Sequence, residues 1–216
     1  MTVKRAILIR PGETDWNQMG RWQGWAATPL NEHGRLQAER LANFVRNIGM
    51  SALYSSDLRR AKETAERIAA RLAYAPIYDA RLRERNIGAW QGLTLDEMKA
   101  WYPDEYRKLL DDVEGYQVPG GESRNQVRER MLAVFGDILA QEKGETVGII
   151  SHTTSFRALL SELIPDCNAS DLMLGNSSVT TIARTDGERW QIVTCNDTMH
   201  LEGLESRSAK ELEQSR

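Results

Sequence analysis

A short apolar run near the start of the chain constrains the fold more than any other feature. Residues 6–9 read Ala-Ile-Leu-Ile, which is typical of a buried parallel strand. The run ends at Arg10-Pro11-Gly12, a turn that brings a charged side chain to the carboxyl end of the strand. Ligands bind at that end in open α/β sheets, although the segment alone fits an ordinary strand and turn equally well.

The rest of the chain alternates between strand-like and helix-like patterns. Further strands are predicted at residues 51–55, at the start of 76–92, and at 146–151, 178–183 and 190–194. Helices are predicted over residues 57–74 and 155–163 and after the N-cap candidates Asn31, Ser56, Thr94 and Ser123. This alternation predicts an α/β layered architecture with a largely parallel sheet.

Composition excludes several classes of protein. The 216 residues, 41% of them hydrophobic, suit one sizeable domain, and the apolar runs are too short for a membrane span. A net charge of −3 argues against a nucleic-acid binder that works through bulk charge. Two cysteines, Cys167 and Cys195, favour a reducing, cytoplasmic location, and His33, His152 and His200 lie too far apart to predict a metal site.

Five motifs, in order, resemble those of the histidine phosphatase superfamily, the phosphoglycerate-mutase-like enzymes. They lie at residues 10–17, 20–34, 55–65, 82–92 and 119–123. The resemblance implies a three-layer sandwich over residues 1–202, a small helical insert near residues 94–118 that covers the site, and a polar tail at 203–216.

The resemblance also implies roles for individual residues. Arg10 and Arg60 match the family's phosphate-binding arginines, and Asn17 and His152 match further phosphate donors. Glu84 matches the proton donor to the leaving oxygen, which with His152 makes up the expected catalytic pair. Weaker substrate contacts are implied for Gln23, Gly24, Arg107 and Lys108.

The residues themselves leave simpler alternatives open for several of these positions. Arg107 and Lys108 fit a solvated helix face more readily than a substrate contact, and a histidine after a strand, such as His152, is more often structural than catalytic. An arginine in the first turn of a helix, such as Arg60, is ordinarily a solvated charge. Glu84 could equally form a surface ion pair with Arg81, Arg83 or Arg85.

One position departs from the family in its chemistry: Pro11 stands where the nucleophilic histidine is expected. Proline has neither a nucleophilic atom nor a backbone N–H, so residue 11 cannot carry a phosphoryl group. Mutase activity, which needs a phosphorylated histidine, is therefore the least expected activity. A smaller departure is Thr153, where the family usually has glycine.

Three interpretations of Pro11 are open. The chain is a pseudoenzyme that binds a phosphorylated ligand, or an active phosphatase in which water attacks with help from Glu84 or His152. Alternatively, Pro11 replaces a natural histidine, since one base change converts a His codon to a Pro codon. A protein-interaction scaffold without phosphate affinity overlaps the first interpretation.

The expected partner is a small phosphorylated metabolite or phosphate, without cofactor, metal, nucleic acid or membrane. A homodimer is left open, as is the identity of the phosphomonoester.

Overall fold

The computed structural model of the chain describes residues 3–185 and 189–204. Within them, six strands form a single sheet: β1 Arg5–Ile9, β2 Ala52–Ser55, β3 Ile77–Tyr78, β4 Thr146–Ile150, β5 Val179–Thr185 and β6 Arg189–Asp197. The order across the sheet is β3-β2-β4-β1-β5-β6.

The sheet is mixed but mostly parallel. The pairings β1 with β4, β4 with β2 and β2 with β3 are parallel, whereas β5 runs antiparallel to both of its neighbours. Five of the six described strands therefore point the same way, and the carboxyl ends of β1, β2 and β4 meet at one edge of the sheet.

Helices cover both faces of the sheet. They are α1 Asp15–Gln18, α2 Glu32–Val45, α3 Arg59–Ala69, α4 Leu95–Trp101, α5 Pro103–Asp111, α6 Arg124–Gln141 and α7 Thr153–Leu163. Side chains alternate between faces along a strand, so Ala6 and Leu8 pack against α6 and α7, whereas Ile7 and Ile9 pack against α2 and α3. The predicted α/β sandwich is confirmed.

Most of the predicted helix starts are correct. The Asn31 side chain accepts the Gly34 N–H at 2.7 Å, and Thr94 and Ser123 open capping boxes as expected. The Ser56 prediction is wrong, because α3 begins at Arg59, after an N-cap residue, Leu58, that provides no side-chain cap. This helix also ends at Ala69, five residues before the predicted end.

Helices α4 and α5 both lie within residues 94–118, the range of the predicted insert, and the role of this segment as a cover of the site stays a prediction. Met98 and Val118 pack with Ile87 and Trp90 in a third, smaller core beside the main sheet. The predicted polar tail lies outside the described residues from position 205 onward. None of the helices in the described part has the length and hydropathy needed to cross a membrane.

Candidate functional site

A cavity of about 450 Å³ lies at the carboxyl ends of the central strands. Its walls include all five residues implied as phosphate-binding or catalytic groups, although they come from distant parts of the chain: Arg10, Asn17, Arg60, Glu84 and His152. Pro11, Gln23 and Gly24 also line this cavity, which we call the first cavity.

Arg10 follows directly on β1 and is fixed at both its backbone and its side chain. Its N–H donates to the Ser178 carbonyl at 3.1 Å, and its guanidinium donates to the Leu174 carbonyl. Burial lowers the pKa of Arg10; the nearby Glu84 carboxylate opposes this shift and the Arg157 charge adds to it. The first cavity thus holds a cation that an anionic ligand would stabilise.

Arg60 lies in the first turn of α3 and points inward, with only 4% of its surface exposed. Its guanidinium donates to the carbonyls of Gly24 at 2.9 Å and Ala26 at 3.2 Å. Burial lowers the pKa of Arg60 to about 10, and Glu84 counteracts this effect. The solvated-charge alternative is therefore wrong for Arg60.

Glycine at position 24 lets the backbone carbonyl of this residue come within hydrogen-bond distance of Arg60. Its φ is +50°, and a side chain here would meet the Ile87 Cγ1 atom at 2.6 Å. A glycine is needed for both reasons, since other residues rarely adopt this backbone conformation.

His152 follows β4 directly and is 4% exposed. Its Nε2 lies 2.9 Å from the Ser56 hydroxyl, which orients the ring. Burial, together with the charges of Arg60, Arg10 and Arg130, holds the pKa of His152 well below its ordinary value. The imidazole is therefore neutral at pH 7 in the free protein.

The Glu84 carboxylate accepts two backbone N–H groups, from Arg85 at 2.8 Å and from Thr154 at 3.2 Å. These bonds hold it at the cavity wall and connect it to the first turn of α7.

The arginines that flank Glu84 have other partners. Arg81 pairs with Asp79 and Asp137, and Arg83 pairs with Asp57 at 2.6 Å. Arg85 donates to backbone carbonyls instead. The alternative of a surface ion pair between Glu84 and one of these three arginines is therefore wrong, because each arginine contacts other groups.

Pro11 is buried and lines the first cavity. Its carbonyl accepts the Ser177 N–H at 3.0 Å, and the following N–H of Gly12 donates to the Thr64 hydroxyl at 3.2 Å. The backbone around Pro11 is therefore held on both sides, while residue 11 provides no group that could attack phosphorus.

Two implied substrate contacts lie elsewhere. Arg107 and Lys108 are exposed on α5, where they approach Asp104 and Glu105 of the preceding turn at 3.4 and 3.8 Å. Neither is among the residues that line the first cavity; Leu109, the next residue, is.

Several residues that line the first cavity were not predicted from the sequence to belong to the site. Arg21, Arg85, Arg124, Thr154 and Arg157 line the first cavity. Ser56 was predicted only as an N-cap; it lies near His152 because β2 pairs with β4, with Ser55 level with Ile150, and this pairing leaves no local sequence signal.

No group of three or more His, Cys, Asp or Glu side chains in residues 3–185 and 189–204 could hold a metal ion. The chemistry available in the first cavity is that of arginine, histidine and carboxylate side chains.

Comparison with known protein families identifies the family. The model of the "Histidine phosphatase superfamily (branch 1)" matches residues 6–198. The chain belongs to this superfamily.

Relatives within the histidine phosphatase superfamily span nearly the whole chain. A metal-independent phosphoserine phosphatase of Arabidopsis thaliana is 35% identical over 209 residues, which cover 94% of this chain and 85% of the relative. The structure of a mycobacterial glucosyl-3-phosphoglycerate phosphatase, complexed with VO3, is 32% identical, with a TM-score of 0.81 and coverage of 91% of this chain and 100% of that one.

A third relative is a mutant phosphoserine phosphatase from Entamoeba histolytica, with one histidine replaced by alanine, in complex with phosphoserine. It is 28% identical, with a TM-score of 0.80 and coverage of 91% of this chain and 98% of that one. These histidine phosphatases share both the fold and the length of the chain described here.

Proposed function

We propose that this histidine phosphatase superfamily member binds a small phosphomonoester in the first cavity and hydrolyses it very slowly or not at all. The observation that carries the proposal is a cavity with one buried arginine, Arg60, one half-buried arginine, Arg10, a neutral histidine and a carboxylate, beside a proline at the expected nucleophile position. Binding groups are present, and the attacking group is absent from residue 11.

A phosphoryl group with about two negative charges suits this cavity. Arg10 and Arg60 would each offer planar, charge-assisted hydrogen bonds to its oxygens. The Asn17 Oδ1 accepts the Thr14 N–H at 3.0 Å, so the Asn17 amide N–H groups would be left for the ligand. The anion would also offset the unfavourable burial of the two arginines.

The relatives support a ligand of this class. Two of them are named as phosphatases of phosphoserine or of glucosyl-3-phosphoglycerate. The Entamoeba histolytica mutant holds phosphoserine although one histidine is replaced, which supports ligand binding without a full set of histidines.

Hydrolysis would be impaired because the usual two-step route needs a covalent intermediate. Glu84 would act as the proton donor to the leaving oxygen, but a donor alone does not form the new bond to phosphorus. Positioning of the phosphoryl group would leave only a residual rate.

Direct attack by water is the second candidate function. Glu84 favours it, because two N–H groups hold its carboxylate at the cavity wall, where it could act as a general base.

Isothermal titration calorimetry with inorganic phosphate tests the binding step. We expect Arg10→Ala to weaken binding by about 1.5–3 kcal/mol, the range for hydrogen bonds to charged groups. Arg107→Ala, which removes an arginine that is 72% exposed and lies outside the first cavity, is the matched control and should bind normally.

Two results would contradict the binding proposal. One is a parent protein with no affinity for phosphate. The other is an Arg10→Ala variant that is folded by circular dichroism and binds phosphate as tightly as the parent.

A further inference from the structure

The His152 ring is held by one hydrogen bond, and the direction of that bond decides what the imidazole can do. Among the described residues, its only polar partner is the Ser56 hydroxyl, 2.9 Å from Nε2. A neutral imidazole carries its hydrogen on one of its two nitrogens, so one nitrogen donates and the other accepts. The direction of the bond between Ser56 and His152 therefore sets which nitrogen carries the hydrogen.

The surroundings of Ser56 favour one direction. Ser56 is fully buried, and its Oγ already accepts the Leu58 N–H at 3.3 Å. In the part of the chain that the structure describes, His152 Nε2 is the only acceptor within hydrogen-bond distance of the Ser56 hydroxyl. A hydrogen on Nε2 would leave this buried hydroxyl without an acceptor, which is unfavourable. Nε2 therefore accepts from Ser56, and the hydrogen of the neutral ring lies on Nδ1.

Nδ1 faces the first cavity. His152 lines this cavity, and its Nδ1 is not fully buried and has no hydrogen-bond partner within residues 3–185 and 189–204. His152 is the N-cap residue of α7, but its side chain accepts no N–H from that helix. The Thr154 N–H donates to the Glu84 carboxylate instead, at 3.2 Å. Nδ1 is thus a hydrogen-bond donor that is open to the cavity.

The charges around His152 suit a neutral donor. Burial and then the charges of nearby arginines, Arg60 and Arg10 first among them, lower the pKa of His152. Both arginines also line the first cavity, so an anion that they bind would lie close to Nδ1. A neutral N–H can donate to this anion without adding a further positive charge beside the two arginines.

We propose that Ser56 is a positioning residue that holds His152 as a neutral hydrogen-bond donor, with its Nδ1–H directed at a phosphoryl oxygen in the first cavity. This inference rests on the proposed function, since it takes a phosphoryl group as the ligand. It also limits the chemistry of His152, because a nitrogen that carries a hydrogen cannot take a proton from water. Glu84, and not His152, is then the general base available for direct attack by water.

Nitrogen-15 NMR of the histidine rings tests the position of the hydrogen directly. In protein labelled at histidine, the His152 signals are those that disappear in His152→Gln, and their chemical shifts report which ring nitrogen carries the hydrogen. In the parent protein at pH 8, in phosphate-free buffer, we expect a protonated Nδ1 and an unprotonated Nε2. A ring with its hydrogen mainly on Nε2 would overturn the proposal, whether or not phosphate binds.

Ser56→Ala removes the hydroxyl that donates to Nε2. We expect the fraction of Nδ1–H to fall in this variant, and its affinity for inorganic phosphate in calorimetry to fall about two- to tenfold, the effect of weakening one hydrogen bond. Ser161→Ala is the matched control, because the Ser161 hydroxyl donates to the Ala158 carbonyl within α7 at 2.9 Å and lies outside the lining of the first cavity. This control should keep the parent tautomer and affinity. A purely structural role of Ser56 would lower stability without moving the hydrogen from Nδ1.

The outcomes distinguish this inference from the proposed function. If Ser56→Ala keeps the parent tautomer, Ser56 does not set it and the proposal falls. If the tautomer changes but Ser56→Ala binds phosphate as tightly as the parent, Nδ1–H does not donate to the ligand, so the proposal falls while the proposed function stands. If the parent carries its hydrogen on Nδ1 but binds no phosphate, the proposed function fails and the donor role of His152 fails with it.

Discussion

At the scale of single residues, the site depends on charges that the fold keeps away from water. Arg60 is 4% exposed, and burial lowers its pKa to about 10. Backbone carbonyls of Gly24 and Ala26 take up its donors, and Glu84 supplies a compensating charge. An arginine buried in this way costs stability unless it is paired, so its presence favours an anion-binding role.

Burial of His152 leads to a prediction about stability. The pKa of His152 in the folded state is lowered, mainly by burial and then by the charges of Arg60 and Arg10. Below about pH 6.5, His152 therefore binds a proton in the unfolded state but not in the folded state. This group therefore reduces the free energy of unfolding as pH falls from about 6.5, by up to about 1.4 kcal/mol per pH unit.

Urea unfolding of the parent and His152→Gln between pH 8 and pH 5, in phosphate-free buffer, measures this effect. The difference in free energy of unfolding between the two proteins should stay constant above pH 7 and shift in favour of the variant below pH 6.5. Parallel pH profiles across the whole range would show that His152 titrates normally.

The sequence identified some residues of the site and missed others, for physical reasons. Arg60 could be selected only through its motif, because local sequence does not reveal that this helix turn faces a cavity. Arg124 and Arg157 carried no signal, since the part of the first cavity that they line forms only when α6 and α7 pack together. Arg107 and Lys108 lie on the exposed side of α5, as a solvated helix face would place them, and the local sequence does not reveal which side of this helix faces the cavity.

At the scale of elements, the end of β1 is held by the first turns of α2. The Glu13 N–H donates to the Gln37 side chain at 3.0 Å, and the Glu13 carbonyl accepts the Asn31 N–H at 3.0 Å. Gly34 packs directly against the Glu13 backbone. These contacts fix the segment that carries Arg10 and Pro11 at the mouth of the first cavity.

Gly34→Ala should therefore destabilise the protein. The added methyl would overlap the Glu13 backbone, which cannot move without disturbing its hydrogen bonds to α2. We expect a loss of about 1–3 kcal/mol in the free energy of unfolding, the usual cost of overpacking.

Gly136→Ala is the matched control, because Gly136 lies within α6 and a methyl there meets no atom within 4 Å. This substitution should stabilise the protein by about 0.5–1 kcal/mol, since alanine favours a helix over glycine. Equal effects of the two substitutions in urea unfolding would show that the contact between Gly34 and Glu13 is unimportant.

Elements were predicted well where the local signal is strong. Buried strands such as β1 and β4 are short apolar runs, and capping boxes at Thr94 and Ser123 mark helix starts. The end of α3 was missed because the residues after Ala69 continue a helical pattern that the structure ends with backbone turns.

At the scale of the whole molecule, the sheet brings distant residues to one edge. Residues after β1, β2 and β4 meet because these strands are neighbours with parallel direction. The alternation of strands and helices predicted this architecture. The strand order and the antiparallel β5 were not predicted, since they depend on long-range pairing that leaves no local pattern.

The protein has a net charge of −3, but its charges are not evenly spread. Arginines predominate in the first cavity, so acidic residues must predominate over the remainder of the chain. A cationic cleft in an acidic protein attracts small anions and repels polyanions. This distribution is consistent with a small phosphorylated ligand.

Turnover of an aryl phosphate by the parent protein and by Pro11→His tests the central claim most directly. The account predicts little or no turnover by the parent, and phosphatase activity with acid-labile phosphate on the protein in Pro11→His, since an imidazole would supply the missing nucleophile beside Arg10, Arg60 and Glu84. Brisk turnover by the parent would contradict it and favour direct attack by water. Inactivity of a folded, phosphate-binding Pro11→His variant would equally contradict it, since Pro11 would then not be what prevents catalysis.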